Sequence, residues 1–158
     1  MSTGTAILIV FGVLFLIVII SIISAILIYN GLVSKRELVN EGWSSIDVQL
    51  KRRFNLIKNL VTVVKQYASH EAETLDNLTN ARSAAYTDDI GERASAEAQI
   101  GSALVNMLSV TEAYPDLKAD GNFRDLQQEL SQLEDVIQRS RRYYNGTVRD
   151  YNTSVSYT

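Results

Sequence analysis

The sequence predicts an all-α protein in which one N-terminal transmembrane helix precedes an elongated antiparallel helical bundle. A long uncharged apolar segment lies near the start, and apolar residues recur at helical spacing through the remainder. One Pro and eight Gly in 158 residues are too few for the many tight turns of a sandwich or barrel of short strands. No charged residue precedes Lys35, so the near-zero mean hydropathy averages two different regions.

The transmembrane helix is predicted at residues 6–29, after a short tail of residues 1–5. Only Gly12, Ser21 and Ser24 interrupt its apolar run. A helix of this length extends about 36 Å, which exceeds the roughly 30 Å thickness of the bilayer hydrocarbon. A cleaved signal peptide is the competing interpretation. It is disfavoured because the tail has no Lys or Arg and the run exceeds the usual apolar region of a signal peptide.

The charges beside this segment predict its orientation. Lys35, Arg36 and the basic residues 51–53 follow the segment, whereas only the amino group of the chain precedes it. Cytoplasmic flanks of membrane helices carry an excess of Lys and Arg. We therefore expect a single-pass protein of the cell membrane, with its N-terminus outside and its C-terminal domain in the cytoplasm.

The bundle domain is predicted at residues 30–158, with helices at about 32–86, 92–113 and 122–156. Polar residues 87–91 separate the first two helices, and the segment Tyr114–Asn122, which holds the one Pro, separates the last two. Asn122 or Asp120 is the expected N-cap of the third helix. The first apolar stripe comprises Val39, Trp43, Ile46, Leu50, Phe54, Ile57, Val61, Val64, Ala68, Leu75, Leu78 and Ala85. The second comprises Ala94, Ala98, Leu104, Val105 and Leu108, and the third Phe123, Leu126, Leu130, Leu133, Ile137, Tyr144, Val148, Tyr151 and Val155.

Two arrangements of these helices remain open. In the first, three unequal helices form a bundle, and much of the first stripe is left for the third helix or another subunit to cover. In the second, the last two helices form one broken antiparallel partner of the first. Such a hairpin encloses no core and would have to oligomerise, because two helices leave a continuous apolar edge. Both arrangements favour a homo-oligomer.

The residue types predict no catalytic site, cofactor or metal centre. Without Cys there are no thiolate ligands, and the only imidazole belongs to His70. A helical zinc site would need a second His four residues later, where Thr74 stands. A surface or interhelical role for His70 is therefore the favoured interpretation. The net charge of −3 and the absence of a Gly-rich phosphate loop predict neither a nucleic-acid partner nor a small-molecule substrate.

The densest basic cluster, residues 51–53, is interpreted as a source of ion pairs within the bundle. Arg53 lies on the apolar stripe, so it is expected to be partly buried and to need a carboxylate partner. Glu134 and Asp135 of the third helix are the candidates. Lipid contact is disfavoured because an upright helix would carry Lys51 about 33 Å beyond the span.

Two further patterns are interpreted as structural. Asp47 and Lys51 have the spacing of a helical ion pair. Tyr144 and Tyr151 are seven residues apart and share a helix face, where core packing is favoured over a ligand cage.

Several segments resemble the bacterial LemA family over nearly the whole chain. They are Tyr29-Asn30-Gly31-Leu32-Val33, Trp43-Ser44-Ser45-Ile46-Asp47-Val48-Gln49-Leu50-Lys51-Arg52-Arg53, Asn59-Leu60-Val61, Lys65-Gln66-Tyr67-Ala68-Ser69-His70-Glu71, Tyr114-Pro115-Asp116-Leu117-Lys118-Ala119, Tyr144-Asn145 and Tyr151-Asn152. The resemblance implies a single-pass membrane protein with a short N-terminal tail and an elongated helical cytoplasmic domain. Lys58 stands where family members usually have Pro, so a straighter first helix is expected here.

The resemblance also bears on function. A relative in magnetotactic bacteria contributes to magnetosome membrane formation, which implies membrane organisation or scaffolding and no catalytic residue. The expectation is a membrane-anchored, non-catalytic helical scaffold whose partners are the lipid bilayer, further copies of the chain or other membrane proteins. An accessory subunit of a membrane enzyme or protease complex is the alternative.

Overall fold

The computed structural model describes residues 3–85 and 90–157. This part of the chain forms five helices and contains no strand: α1 (Thr3–Tyr67), α2 (Ala72–Ala84), α3 (Ile90–Thr111), α4 (Pro115–Ala119) and α5 (Gly121–Ser156). The predicted all-α fold is confirmed.

The helix α1 begins as the apolar segment and continues into the polar region. It continues through Asn30, Gly31 and Gly42, where a helix bends more easily, and through Lys58. Its N-terminal part is long and apolar enough to cross a membrane. The large apolar side chains described there, from Leu8 to Tyr29, are all exposed. A lone segment in lipid must satisfy its backbone polar groups internally, which a helix does.

By internal contacts the chain divides into two units. Unit 1 comprises Met1–Ser45 and Ser140–Thr158, and unit 2 comprises Ile46–Arg139. Both α1 and α5 therefore contribute residues to each unit.

Unit 2 contains the hydrophobic core. The middle of α1, the short helices and the start of α5 each bury apolar side chains there, and α2 packs along α3. The most deeply buried are Ile57, Leu60, Val64, Leu75, Leu78, Ile100, Met107, Leu117 and Ile137. Each such side chain removed from water stabilises the folded state by about 1.5–3 kcal/mol before entropy is counted.

The prediction of one helix over residues 32–86 is wrong at residues 68–71. There α1 ends at Tyr67, Ser69 and His70 form a turn, and α2 begins at Ala72. Glu71 leaves helical geometry with a ψ of 41°. The apolar spacing is unchanged across the break, because Ala68 and Leu75 are seven residues apart and both buried. Periodicity alone therefore gives no sign of the interruption.

The second helix also differs from its prediction. It spans Ile90–Thr111 instead of 92–113, and of the predicted polar break over 87–91, residues 87–89 lie outside the described residues. Ala98 and Val105, predicted on its apolar face, are exposed. The side chain of Ala94 lies outside the described ones. The buried face carries Ala96, Ile100 and Met107 instead, since bulkier Ile and Met side chains gain more from burial than Ala does.

Pro115 opens the short helix α4 at its first turn, where its missing N–H costs no hydrogen bond. One residue, Asp120, then separates α4 from α5. Its carboxylate Oδ1 accepts a hydrogen bond from the Phe123 backbone N–H at 2.8 Å. Asp120 is therefore the N-cap, as one of the two predicted candidates, and α5 begins one residue earlier than expected.

Unit 1 pairs α1 with α5 in antiparallel fashion. Ser45 faces Ser140 with their hydroxyl oxygens 3.4 Å apart, and Lys35 donates a hydrogen bond to Ser154. The two helices approach closely at Gly42, where an added Cβ would lie 3.3 Å from the Tyr144 Cα. Glycine suits this crossing because a Cβ there would press on the backbone of the partner helix.

This crossing generates a test with a matched pair of glycines. A Gly-to-Ala change inside a helix ordinarily stabilises it by up to about 1 kcal/mol. A Cβ at Gly146 meets nothing within 4 Å, so Gly146→Ala should raise the unfolding temperature. Gly42→Ala should lower it or leave it unchanged, because the tight contact with α5 offsets the propensity gain. Thermal unfolding of the full chain in detergent, followed by circular dichroism, measures both. Equal stabilisation by the two substitutions would contradict the close approach.

Candidate functional site

A buried ion pair joins α1 to α3 in unit 2. Arg53 Nη1 donates to Glu97 Oε2 at 2.7 Å, and only 7% of each residue is exposed. Glu134 of α5 lies 3.4 Å from the same nitrogen, with a side chain that is 43% exposed. The predicted burial of Arg53 and its pairing with Glu134 are confirmed, whereas Asp135 on the same helix is exposed. One guanidinium thus connects three helices.

Glu97 is the partner that sequence reasoning missed. It precedes Ile100 by three residues, and Leu104, Met107 and Thr111 continue the same face of α3 at steps of four, three and four. This helical spacing is the same signal that identified Arg53. Ala98 and Val105 lie on a different face of α3. Because the predicted apolar stripe followed that face, it did not include Glu97.

A second ion pair lies near the first. Arg93 Nη1 is 3.0 Å from Asp47 Oδ1, and Lys51 Nζ is 2.7 Å from Asp47 Oδ2, so the predicted Asp47–Lys51 pair is confirmed. The pKa of Asp47 is lowered, first by the Lys51 hydrogen bond and further by the positive charges of Lys51 and Arg93. Neighbouring Arg52 pairs with Glu129 at the surface.

A cavity of about 270 Å³ opens beside these pairs. Its lining includes Arg53, Arg93, Glu97 and Phe54. The Arg82 guanidinium carbon lies 4.1 Å from the centre of the Phe54 ring, a cation–π distance. The buried arginines that line this cavity each have a carboxylate partner, so the cluster is suited to holding helices together. Removal of one partner would leave a buried charge uncompensated.

Two tyrosine hydroxyls contact carboxylates elsewhere in unit 2. Tyr114 donates to Glu71 Oε1 at 3.1 Å, and Tyr67 donates to Asp120 Oδ2 at 2.9 Å. Each hydrogen bond raises the pKa of its phenol, because ionisation would place two negative charges together. The pKa of Asp120 is lowered by the Phe123 backbone N–H and by the Tyr67 hydroxyl. Through its hydrogen bond with Tyr114, Glu71 is linked to the residue that directly precedes α4.

His70 is exposed in the turn between α1 and α2. Among the described residues, no three His, Asp or Glu side chains are grouped so that they could hold a metal ion.

The remaining predicted residues are distributed over both units. In unit 1, Trp43 packs on Tyr144 with ring centres 5.6 Å apart and an angle of 55° between the rings. Tyr151 is half-buried like Tyr144, as their shared face predicts. Gln49 in unit 2 is half-buried as well. Besides Arg52 and His70, the exposed members of the predicted set are Tyr29, Asn30, Asn59, Asn145, Asn152 and Pro115. These residues do not converge on one site.

The fold and its polar contacts define a class: an all-α protein with one candidate membrane span and interhelical ion pairs. Comparison with known proteins is more specific. The model of the LemA family matches residues 42–158, and the chain belongs to this family.

Three relatives illustrate the range of similarity. Protein LemA of Metamycoplasma hominis is 28% identical over 128 residues, covering 80% of this chain and 58% of that protein. Magnetosome protein MamQ 2 of Paramagnetospirillum magneticum is 24% identical over 155 residues, covering 81% and 57%. Magnetosome protein MamQ of Magnetospirillum gryphiswaldense is 23% identical over 155 residues, also covering 81% and 57%. The chain therefore matches less than two thirds of the length of each relative.

The buried ion pair predicts unequal effects of two neighbouring substitutions. Arg53→Ala should lower the free energy of unfolding by about 3 kcal/mol, because it leaves Glu97 buried without its cation. Lys51→Ala removes an exposed helical pair and should cost no more than about 0.5 kcal/mol. Thermal and urea unfolding of the full chain in detergent compare the two.

The double variant Arg53→Met with Glu97→Leu serves as the control for charge. It should recover most of the free energy of unfolding that Arg53→Ala loses, since replacing a buried ion pair by apolar residues of similar volume is often neutral or stabilising. Equal effects of the two single substitutions, or a larger effect of Lys51→Ala, would contradict this role of Arg53.

The Asp120 cap predicts a pH dependence. Its pKa is lower in the folded chain than the ordinary value of 3.8, so its stabilisation is present above that value and is lost as the pH falls through the folded pKa. Asp120→Asn keeps a good N-cap but cannot titrate. Between about pH 5 and pH 2, the unfolding temperature of the unmodified chain should therefore fall further than that of the variant. If the unfolding temperatures of the two proteins fall in parallel with pH, the ionised Asp120 carboxylate makes no such contribution to stability.

Proposed function

We propose that this protein is a membrane-anchored, non-catalytic helical scaffold that self-associates or recruits partners through the α1–α5 pair of unit 1. The proposal combines the candidate membrane span with the incomplete burial of this pair. The apolar segment of α1 holds the chain in the cell membrane, and the polar helices present the contact surface.

The incomplete burial of unit 1 is the observation that carries the proposal. Of its described residues, only Gly42 is buried. The facing apolar side chains remain half-buried; they are Leu32, Val39, Trp43, Tyr144, Val148 and Tyr151. On one edge of the pair Leu38 is 41% exposed, and on the other edge Val33 is 40% exposed, because five residues turn a helix by about 140°. A second copy would cover the edge at Leu38 and remove its apolar surface from water.

The orientation follows from the charges that flank the span. Lys35 and Arg36 come directly after it, and the positive-inside rule places such residues in the cytoplasm. The N-terminus would then lie outside, with residues 30–158 inside.

The relatives supply the biological context of the proposal. Two of the proteins similar to this chain are named as magnetosome proteins. By analogy, a helical LemA-family chain with a membrane span would organise membrane or membrane-bound assemblies by contact. An accessory subunit of a membrane enzyme or protease complex is the alternative, in which the same edge of unit 1 would bind a different chain.

Site-specific photo-crosslinking in cells separates these functions. A photo-reactive phenylalanine analogue replaces Leu38 at the exposed edge, and the control replaces Glu37, which points to another side of α1. A scaffold should give adducts between two copies at Leu38 and few at Glu37. Adducts of Leu38 only with other proteins would favour the accessory subunit. Equal yields at both positions would contradict a specific contact edge.

A further inference from the structure

The last turn of α5 and the residue that follows it carry an apolar and an aromatic side chain in exposed positions. Val155 is 50% exposed and Tyr157 is 88% exposed. Both belong to unit 1, where α5 runs antiparallel to α1. The surrounding positions on α5, Asn152, Thr153 and Ser156, are small or polar and are exposed as well. The two large side chains therefore stand out from a hydrophilic helix end.

The contacts within unit 1 fix the height of this end along α1. Tyr144 lies beside Gly42, and Tyr157 follows Tyr144 by thirteen residues, about 20 Å at helical rise. Thirteen residues before Gly42 in the antiparallel partner is Tyr29. The hydrogen bond between Lys35 and Ser154 gives a similar register, with Tyr157 level with residue 32. Tyr157 thus lies level with residues 29–32, where the apolar segment of α1 ends.

This height coincides with a particular layer of a bilayer. The polar headgroup region adds roughly 5–7 Å on each side of the hydrocarbon core. Tyrosine is enriched in that layer because its ring is apolar and its hydroxyl is polar. Tyr29 is itself 68% exposed at the end of the span, and Lys35 and Arg36 follow with charges suited to lipid phosphates.

We propose that the end of α5 is a second membrane contact, in which Val155 and Tyr157 enter the headgroup layer beside Tyr29. The occupant of this surface is the lipid bilayer. The inference rests on the proposed membrane anchoring of α1 and adds a contact made by the end of α5. Two contacts on antiparallel helices would restrict the tilt of the pair on the membrane, whereas a single span leaves it free.

Tryptophan fluorescence in vesicles tests this placement. The chain contains one tryptophan, Trp43, so a Trp43→Phe background permits single reporters elsewhere. Tyr157→Trp reports on the proposed contact. Tyr143→Trp is the matched control, since Tyr143 is an exposed tyrosine on the same helix beside Gly42. Phe15→Trp reports on insertion of the span. The full-length variants are reconstituted into phosphatidylcholine vesicles with and without bromine at carbons 6 and 7 of an acyl chain.

Brominated lipid should reduce the emission of the Phe15→Trp and Tyr157→Trp reporters about twofold and leave the Tyr143→Trp reporter nearly unchanged, because bromine quenches only at short range within the bilayer. Quenching at position 15 without quenching at position 157 would overturn the second contact and leave the anchor standing. Absence of quenching at position 15 would overturn the anchor itself. Equal quenching at positions 143 and 157 would overturn the upright placement of the helix pair.

Discussion

Two packed helices cannot enclose a core, because each has only one stripe facing the other and both edges of the contact remain open. Unit 1 is subject to this constraint. Its α1 and α5 segments approach closely at Gly42, yet the apolar residues on either side of that crossing stay half-buried. Lipid can cover the N-terminal part of α1. The polar part of the pair keeps its apolar side chains only half-buried, and the proposed scaffold function is based on this incomplete burial.

Unit 2 meets the same constraint differently. There α2, α3 and α4 add their own apolar faces to the segments of α1 and α5, and the core closes around residues such as Ile57, Leu78 and Met107. Arg53 is buried within this arrangement and contacts Glu97 and Glu134. Separating Arg53 from its carboxylates would leave a buried charge uncompensated, which disfavours arrangements of unit 2 in which these contacts are broken.

The sequence predicted those features that have a local or periodic cause. The apolar run gave the first part of α1, the stripe placed Arg53 in the interior beside Glu134, and Asp120 was recognised as a cap because its side chain acts within its own turn. The break at residues 68–71 was missed because it contains neither Pro nor Gly and preserves the apolar spacing. Glu97 was missed because small residues populate two faces of α3, and only the packing of α3 against other helices decides which face is buried.

If the chain associates with further protein through unit 1, the mass of the assembled particle will reveal it. Native mass spectrometry of the full chain, released from detergent micelles, resolves species by multiples of the 17.6 kDa chain mass. A scaffold of this kind should appear as a defined oligomer that persists at micromolar concentration and dissociates when Leu38 is replaced by Lys. A single species of 17.6 kDa from membranes that contain the protein alone, with no bound second chain when isolated from cells, would contradict it.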